Sequence, residues 1–383
     1  MTMGRTSPRP RTFEWSWQRP FNMAARLSSP KSHITPSWST TRLLSIHSRK
    51  PDVRHHHRVP EEVKIASVPD AYRVLCISGG GYRGLYAARL LAQIEANPRF
   101  GTGPIGTRFD MIAGTSVGGL IGAALALGIP ATNVYDLLLK WGPKIFPKRW
   151  FVGTRKLLSK EVYSAEPLED AIRECLNGSE NKKLSEIDKP LLLTTVSWTM
   201  GELRFLTSRG LSGANASTCS ILAATRATSA APAHFPPMEV DNDWCVDGGL
   251  AANCPDVHAL QHAEQRGLPV RMLSVGTAGV MHRSISSKIP LRGIFWAQPA
   301  LSLSMQAQEL NAQQTCTDTL KQDYLHLNSS PGVGHEILKG LDVANKNSTD
   351  LLTTLANKRF DQLIASQDET LRLRAIVASR SLA

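Results

Sequence analysis

The chain has 383 residues, a formal net charge of +12, and 42% hydrophobic against 20% charged residues, enough for a substantial buried core. Residues 1–65 hold 12 Lys and Arg against 4 Asp and Glu, so eight of the twelve excess positive charges lie there and four on the remaining 318 residues. That distribution excludes a globally basic nucleic-acid binder, and no nucleic-acid polymer is expected as a partner.

Residues 1–65 are rich in Arg, Ser, Thr and Pro and have no sustained periodicity. They read as a disordered basic tail, or as sequence upstream of the true start. An Arg- and Ser-rich, acid-poor segment also suits a transit peptide, but the continuous apolar stretch of a secretory signal is missing. His55, His56 and His57, flanked by Arg54 and Arg58, read as a solvated patch rather than a metal site.

Tyr72 to Ser78 is a β-rich run entering a glycine cluster, and Leu85 to Ala96 follows as a helix with Leu85, Ala88, Leu91 and Ala92 on one face. Phe109 to Ala113 reads as a strand and Val117 to Leu127 as a helix of small residues. Met111 to Tyr135 carries no charge and is long enough to imitate a membrane span. Its five glycines and Pro130 argue instead for a buried strand, turn and helix. Tyr135 to Trp150 is amphipathic and runs into the basic-aromatic stretch Lys144 to Lys156. With Trp150 and Phe151, that stretch reads either as a solvated loop or as an interfacial contact.

Pro190 to Thr199 and Leu203 to Thr207 read as strands joined by a turn at Met200-Gly201-Glu202. A helix around Ser220 to Thr228 precedes the proline-rich Pro232 to Pro237. Trp244 to Val246 and Val270 to Val275 are further short strands. The chain after Ile294 reads as helical, with one long helix from Asp350 to Ser379. Alternating strands and helices predict an α/β fold, a mostly parallel sheet covered on both faces. The six cysteines show no paired metal spacing and several lie in apolar runs, as reduced thiols in a cytosolic protein would.

Three motifs stand at the ends of apolar runs. Gly114-Thr115-Ser116-Val117-Gly118 is a G-x-S-x-G at a strand-to-helix junction, the pattern of a nucleophile elbow. Gly79-Gly80-Gly81-Tyr82-Arg83-Gly84 satisfies G-x-G-x-x-G and admits two readings. A dinucleotide fingerprint wants an acidic residue about 20 positions on at a strand end. Glu95 is nearest, but it falls within a helix. An oxyanion hole, in which backbone N–H groups of consecutive small residues converge, fits better. Asp247-Gly248-Gly249 follows a short strand and presents a lone carboxylate. Triad hydrolases need a histidine, and His234, His258, His262, His282, His326 and His335 have no distinctive setting. His258 and His262 lie four apart on a probable helix without a third ligand. A desolvated Asp247 within reach of Ser116 would serve as the base directly.

On these residues the chain resembles the patatin-like phospholipases from about Tyr72 to Thr277. The segment Ala224 to Pro237, Asn253 and Pro255 add to the likeness; Ser78 stands where plant members carry Asp. The resemblance implies a three-layer α/β fold and a Ser–Asp dyad of nucleophile Ser116 and base Asp247. It also implies an oxyanion hole in the turn of Gly79, Gly80, Gly81, Arg83 and Gly84, with Gly80, Gly81 and Arg83 as donors. Gly114, Gly118, Gly248 and Gly249 shape the two flanking turns. No metal and no cofactor are expected. The domains implied are a tail over 1–65, a catalytic domain over 70–280, and a helical region over 281–383 packed on it.

Tyr72 to Tyr86 is similar to the phospholipases of bacterial cyclic-oligonucleotide anti-phage systems. That narrower likeness implies a membrane phospholipid substrate, a cyclic dinucleotide activator and a cytoplasmic protein peripheral at the inner face of the membrane when active. Self-association into a homo-oligomer is open. The alternatives are a nucleotide-binding regulatory protein built on the glycine loop, and an acyltransferase using the same acyl-enzyme.

Overall fold

A computed structural model describes residues 71–147, 163–211, 215–232, 234–279, 297–331 and 342–377, which all fall in one compact unit, 64–383. The basic tail with His55 to His57, the aromatic pair Trp150 and Phe151, and His282 and His335 lie outside the described residues.

The sheet grows from β1 (Tyr72–Ile77), whose alternate side chains serve two cores. Leu75 and Ile77 join the larger core; Tyr72, Val74 and Cys76 join the smaller one on the opposite face. β2 (Met111–Thr115) and β7 (Val270–Val275) flank β1 in parallel. β3 (Leu191–Ser197) runs parallel beyond β2, and β8 (Tyr324–Leu327) parallel beyond β7. Antiparallel strands finish the side beyond β2: β4 (Leu203–Thr207) and β6 (Asp243–Asp247) pair with β3, and β5 (Met238–Val240) pairs with β6. Among the described residues the result is an eight-stranded, mostly parallel sheet with helices on both faces, as the alternation of elements predicts.

The larger core lies under α1 (Gly84–Ala96), α2 (Val117–Ala126), α3 (Ala131–Ile145), α4 (Glu166–Leu176) and α5 (Ile221–Thr228). A four-residue turn of helix, α6 (Gly249–Ala252), follows β6 and leads to α7 (Asp256–Glu264). α7 and the long α8 (Ala297–Leu320) cover the smaller core through Ala259, Leu260 and Cys316. α9 (Lys346–Ala365) and α10 (Gln367–Val377) add Leu352, Ala356, Leu363, Leu373 and Ile376 to the larger core.

Two expectations for the C-terminal region change. It contributes a strand, β8, whose four residues are too few for their alternation to stand out. The expected continuous helix from Asp350 breaks at Ser366, which turns extended (φ −85°, ψ 112°) and whose Oγ accepts the Glu369 N–H at 3.3 Å. Ser366 and Glu369 form a cap signal inside the apolar pattern. The uncharged stretch Met111 to Tyr135 is divided among β2, α2 and α3. At 1.5 Å per residue, α2 spans about 15 Å, half a bilayer core. Among the described residues no helix is long and apolar enough to cross a membrane.

Candidate active site

Ser116 stands between β2 and α2 with φ 56° and ψ −127°, a backbone conformation that costs an L-residue about 1–3 kcal/mol. Close packing holds it there. A Cβ on Gly114 would lie 2.4 Å from the Gly118 carbonyl oxygen, and one on Gly118 would lie 2.3 Å from that of Ile77. The elbow therefore closes only on glycine at both positions. The Ser116 N–H donates to Thr228 Oγ1 at 2.9 Å, and that hydroxyl donates to the Thr194 carbonyl at 2.6 Å. A buried relay from α5 and β3 thus fixes the turn.

Register brings the carboxylate to the serine. Thr115 pairs with Thr194 across β2 and β3, and the next residue of β3, Thr195, pairs with Asp247 on β6. β4 occupies the other edge of β3, so β6 takes up the edge where β2 ends. The last residue of each strand meets at that handover. Ser116 Oγ donates to Asp247 Oδ2 at 2.6 Å, and Asp247 Oδ1 accepts the Gly249 N–H at 2.7 Å. Both side chains are buried. Burial pushes the Asp247 carboxyl up to about 6, against the opposing pull of the Ser116 and Gly249 hydrogen bonds. Gly248, between Asp247 and that N–H donor, accepts nothing from the pair; its backbone packs against Thr194.

The glycine-rich turn is narrower as a donor site than its sequence implies. The Gly79 N–H donates to the Asn253 carbonyl at 2.9 Å, and the Arg83 N–H to the Gly80 carbonyl at 3.1 Å. The Gly84 N–H is taken by the carbonyls of Gly81 and Tyr82. These three expected contributors are thus committed by the tight helical turn over Gly81–Arg83 and by the neighbouring loop. The N–H groups of Gly80 and Gly81 have no described partner, and both residues line the cavity beside Ser116. Gly81 takes φ 56°, which a side chain would resist. Burial lowers the Arg83 guanidinium from its ordinary pKa, opposed by the charge of Glu309 on α8. The Arg83 side chain also turns back on the Gly80 carbonyl, with Nε at 3.4 Å.

Ser116 and Asp247 line a cavity whose other walls include Leu120, Leu138, Phe146, Phe235, Leu301 and Met305. The lining suits a long apolar group. Among the described residues no imidazole enters the Ser116–Asp247 pair. His234 lines the cavity, but its Nδ1 faces the Pro232 carbonyl at 3.3 Å and its Nε2 lies 3.8 Å from Asp342. His326, pushed down to about 4 by burial, contacts Ser274 and Gln313. His258 and His262 pack on the Phe205 ring. No group of three or more His, Cys, Asp or Glu that could hold a metal occurs among the described residues. All six cysteines are free thiols.

Residues 75–259 match the family model described as patatin-like phospholipase. Over these residues, just under half of the chain, the protein is similar to the patatin-like phospholipases. The match includes Ser116 and Asp247 and stops short of α8. The chain is similar to a cGAMP-activated phospholipase of Pseudomonas aeruginosa, 29% identical over 75% of this chain and 87% of that protein. It is similar to one of Vibrio cholerae, 27% identical over 76% of this chain and 91% of that protein. A third, from Escherichia coli, is 31% identical over 54% of this chain and 62% of that protein. The matched segment thus contains the glycine-rich turn, Ser116, Asp247 and most of the cavity lining. The Thr115, Thr194 and Thr228 contacts carry no sequence signal, because they depend on side chains distant in the chain.

Proposed function

We propose that the protein is a lipid acyl hydrolase that cleaves ester-linked acyl chains of membrane phospholipids, with Ser116 as nucleophile and Asp247 as base. The observation that carries this reading is the 2.6 Å hydrogen bond from Ser116 Oγ to a buried carboxylate in the wall of an apolar cavity. Asp247 Oδ2 takes the hydroxyl proton as Oγ attacks the ester carbonyl. The negative charge developing on the carbonyl oxygen is met by the N–H groups of Gly80 and Gly81, each worth about 3 kcal/mol in the transition state. Collapse of the tetrahedral intermediate expels the lysophospholipid alkoxide, which recovers the proton from Asp247. Water, deprotonated by the same carboxylate, then releases the fatty acid and restores Ser116.

The similarity to cGAMP-activated phospholipases supports activation of this chain by a cyclic dinucleotide and a role in anti-phage defence. On that reading it works at the inner face of the membrane, reached from the cytoplasm. The catalytic domain over 70–280 would be controlled through the region that follows it. Product analysis on vesicles of bacterial phospholipid, with and without cGAMP, tests both parts. Free fatty acid from the wild type and none from Ser116→Ala or Asp247→Ala is expected. Full activity in either variant would rule out the dyad, and equal activity without cGAMP would rule out the switch.

A further inference from the structure

α6 and the residue after it are the hub of the site. The Ala252 carbonyl accepts from Thr115 Oγ1, next to Ser116, at 2.7 Å. The Asn253 carbonyl accepts the Gly79 N–H at 2.9 Å at the start of the oxyanion turn. The Gly249 N–H holds Asp247. Three catalytic parts therefore take their relative positions from five residues, and a four-residue helix cannot fix itself.

α8, which lies beyond the patatin-like match, supplies the brace. Gln308 accepts the Asn253 N–H on Oε1 at 3.3 Å and donates from Nε2 to the Leu250 carbonyl at 3.0 Å. One amide thus bridges both ends of the hub, using an acceptor and a donor that no hydrophobic or singly functional side chain provides. One and two turns earlier on the same helix, Met305 and Leu301 line the cavity. The hub has little slack to absorb a shift. Asn253 is buried and its Oδ1 lies 2.6 Å from where a Gly79 Cβ would stand. A displacement of Asn253 is transmitted to the oxyanion turn.

We infer that Gln308 is a positioning residue for the reaction, locking the Asp247 loop and the glycine turn to α8 so that the patatin-like site is assembled only when α8 is seated. The inference rests on the dyad reading above. It makes α8, a helix outside the matched domain, the element through which the rest of the chain reaches the chemistry.

The test compares Gln308→Met, which keeps length and packing but forms neither bond, with Gln314→Met, the same change at an exposed position of the same helix. Initial rates on phosphatidylethanolamine–phosphatidylglycerol vesicles with cGAMP, and thermal midpoints, are measured for the full-length protein. Gln308→Met is expected to lose about 10- to 100-fold in kcat, with KM and midpoint near wild type, because reacting groups are misplaced and not lost. Gln314→Met is expected to match wild type in all three. If Gln308→Met does not fold, Gln308→Glu carries the test. It keeps the acceptor for Asn253 but sets a carboxylate oxygen against the Leu250 carbonyl, and is expected to lose kcat at least as much. Wild-type kcat in a folded Gln308 variant overturns the inference, as does a loss confined to KM. Activity surviving in Ser116→Ala would instead sink the dyad reading, so the two failures are distinct.

Discussion

At the residue scale, Asp247 is held between two demands. As the proposed base it must be ionised to take the serine proton, yet burial holds its carboxyl up at about 6. Activity is therefore expected to rise with pH along a single ionisation near 6 and to level off above about 7, read as kcat/KM on a soluble ester. The linkage to stability has the opposite sense. The folded state keeps the proton more tightly than the unfolded chain, so the contribution of Asp247 to stability is fully present at low pH and is lost as pH rises through about 6. Two pKa units correspond to about 3 kcal/mol. Asp247→Asn should thus raise the thermal midpoint at pH 8 and leave it nearly unchanged at pH 4, while abolishing turnover. A lower midpoint at pH 8 would show that the ionised carboxylate stabilises the fold. The approach of Ser116 to Asp247 was legible in the sequence because each ends an apolar strand beside glycines. Which of the Gly79 to Gly84 N–H groups are free was not. That depends on where Asn253 and Gly80 place their carbonyls, and consecutive glycines give no hint of it.

At the scale of elements, the decisive arrangement is the handover on β3 from β2 to β6. Sequence periodicity locates these strands to within a residue or two, but it carries no information on which edge a neighbour takes. The register does: Thr194 faces Thr115 and Thr195 faces Asp247. The elbow at the end of β2 needs glycine on both sides of the serine for space. Gly118→Ala would drive a methyl group against the Ile77 carbonyl oxygen, with only 2.3 Å available and backbone that cannot rotate away. A loss of about 1–3 kcal/mol or more is expected, together with loss of activity, from urea unfolding and rate measurements on the same sample. A variant with wild-type stability would mean that β1 and α2 are not as closely apposed as described. Strand β8 and the break at Ser366 escaped the sequence reading for a related reason. Four alternating residues, or one serine within an apolar pattern, are weak local signals that tertiary packing decides.

At the scale of the whole molecule, the region after the patatin-like match is part of the same packed unit. Tyr82 and Thr349 share a 2.7 Å hydroxyl hydrogen bond, and Arg89 donates to Asn357 at 2.9 Å, so α9 is tied to α1 and to the glycine turn that opens it. Leu352, Leu363, Leu373 and Ile376 are buried, each contributing roughly 1.5–3 kcal/mol. A chain ending at residue 344 is expected to be insoluble or to lack a cooperative melt, and a wild-type midpoint for it would contradict this packing. The central claim stays local: a hydroxyl activated by a neighbouring carboxylate. Intact-mass and peptide mapping after brief exposure to a fluorophosphonate test it most directly. One adduct on Ser116 is expected in the wild type, with labelling absent in Ser116→Ala and slowed at least 100-fold in Asp247→Asn; an adduct at another residue, or undiminished labelling without the carboxylate, would contradict it.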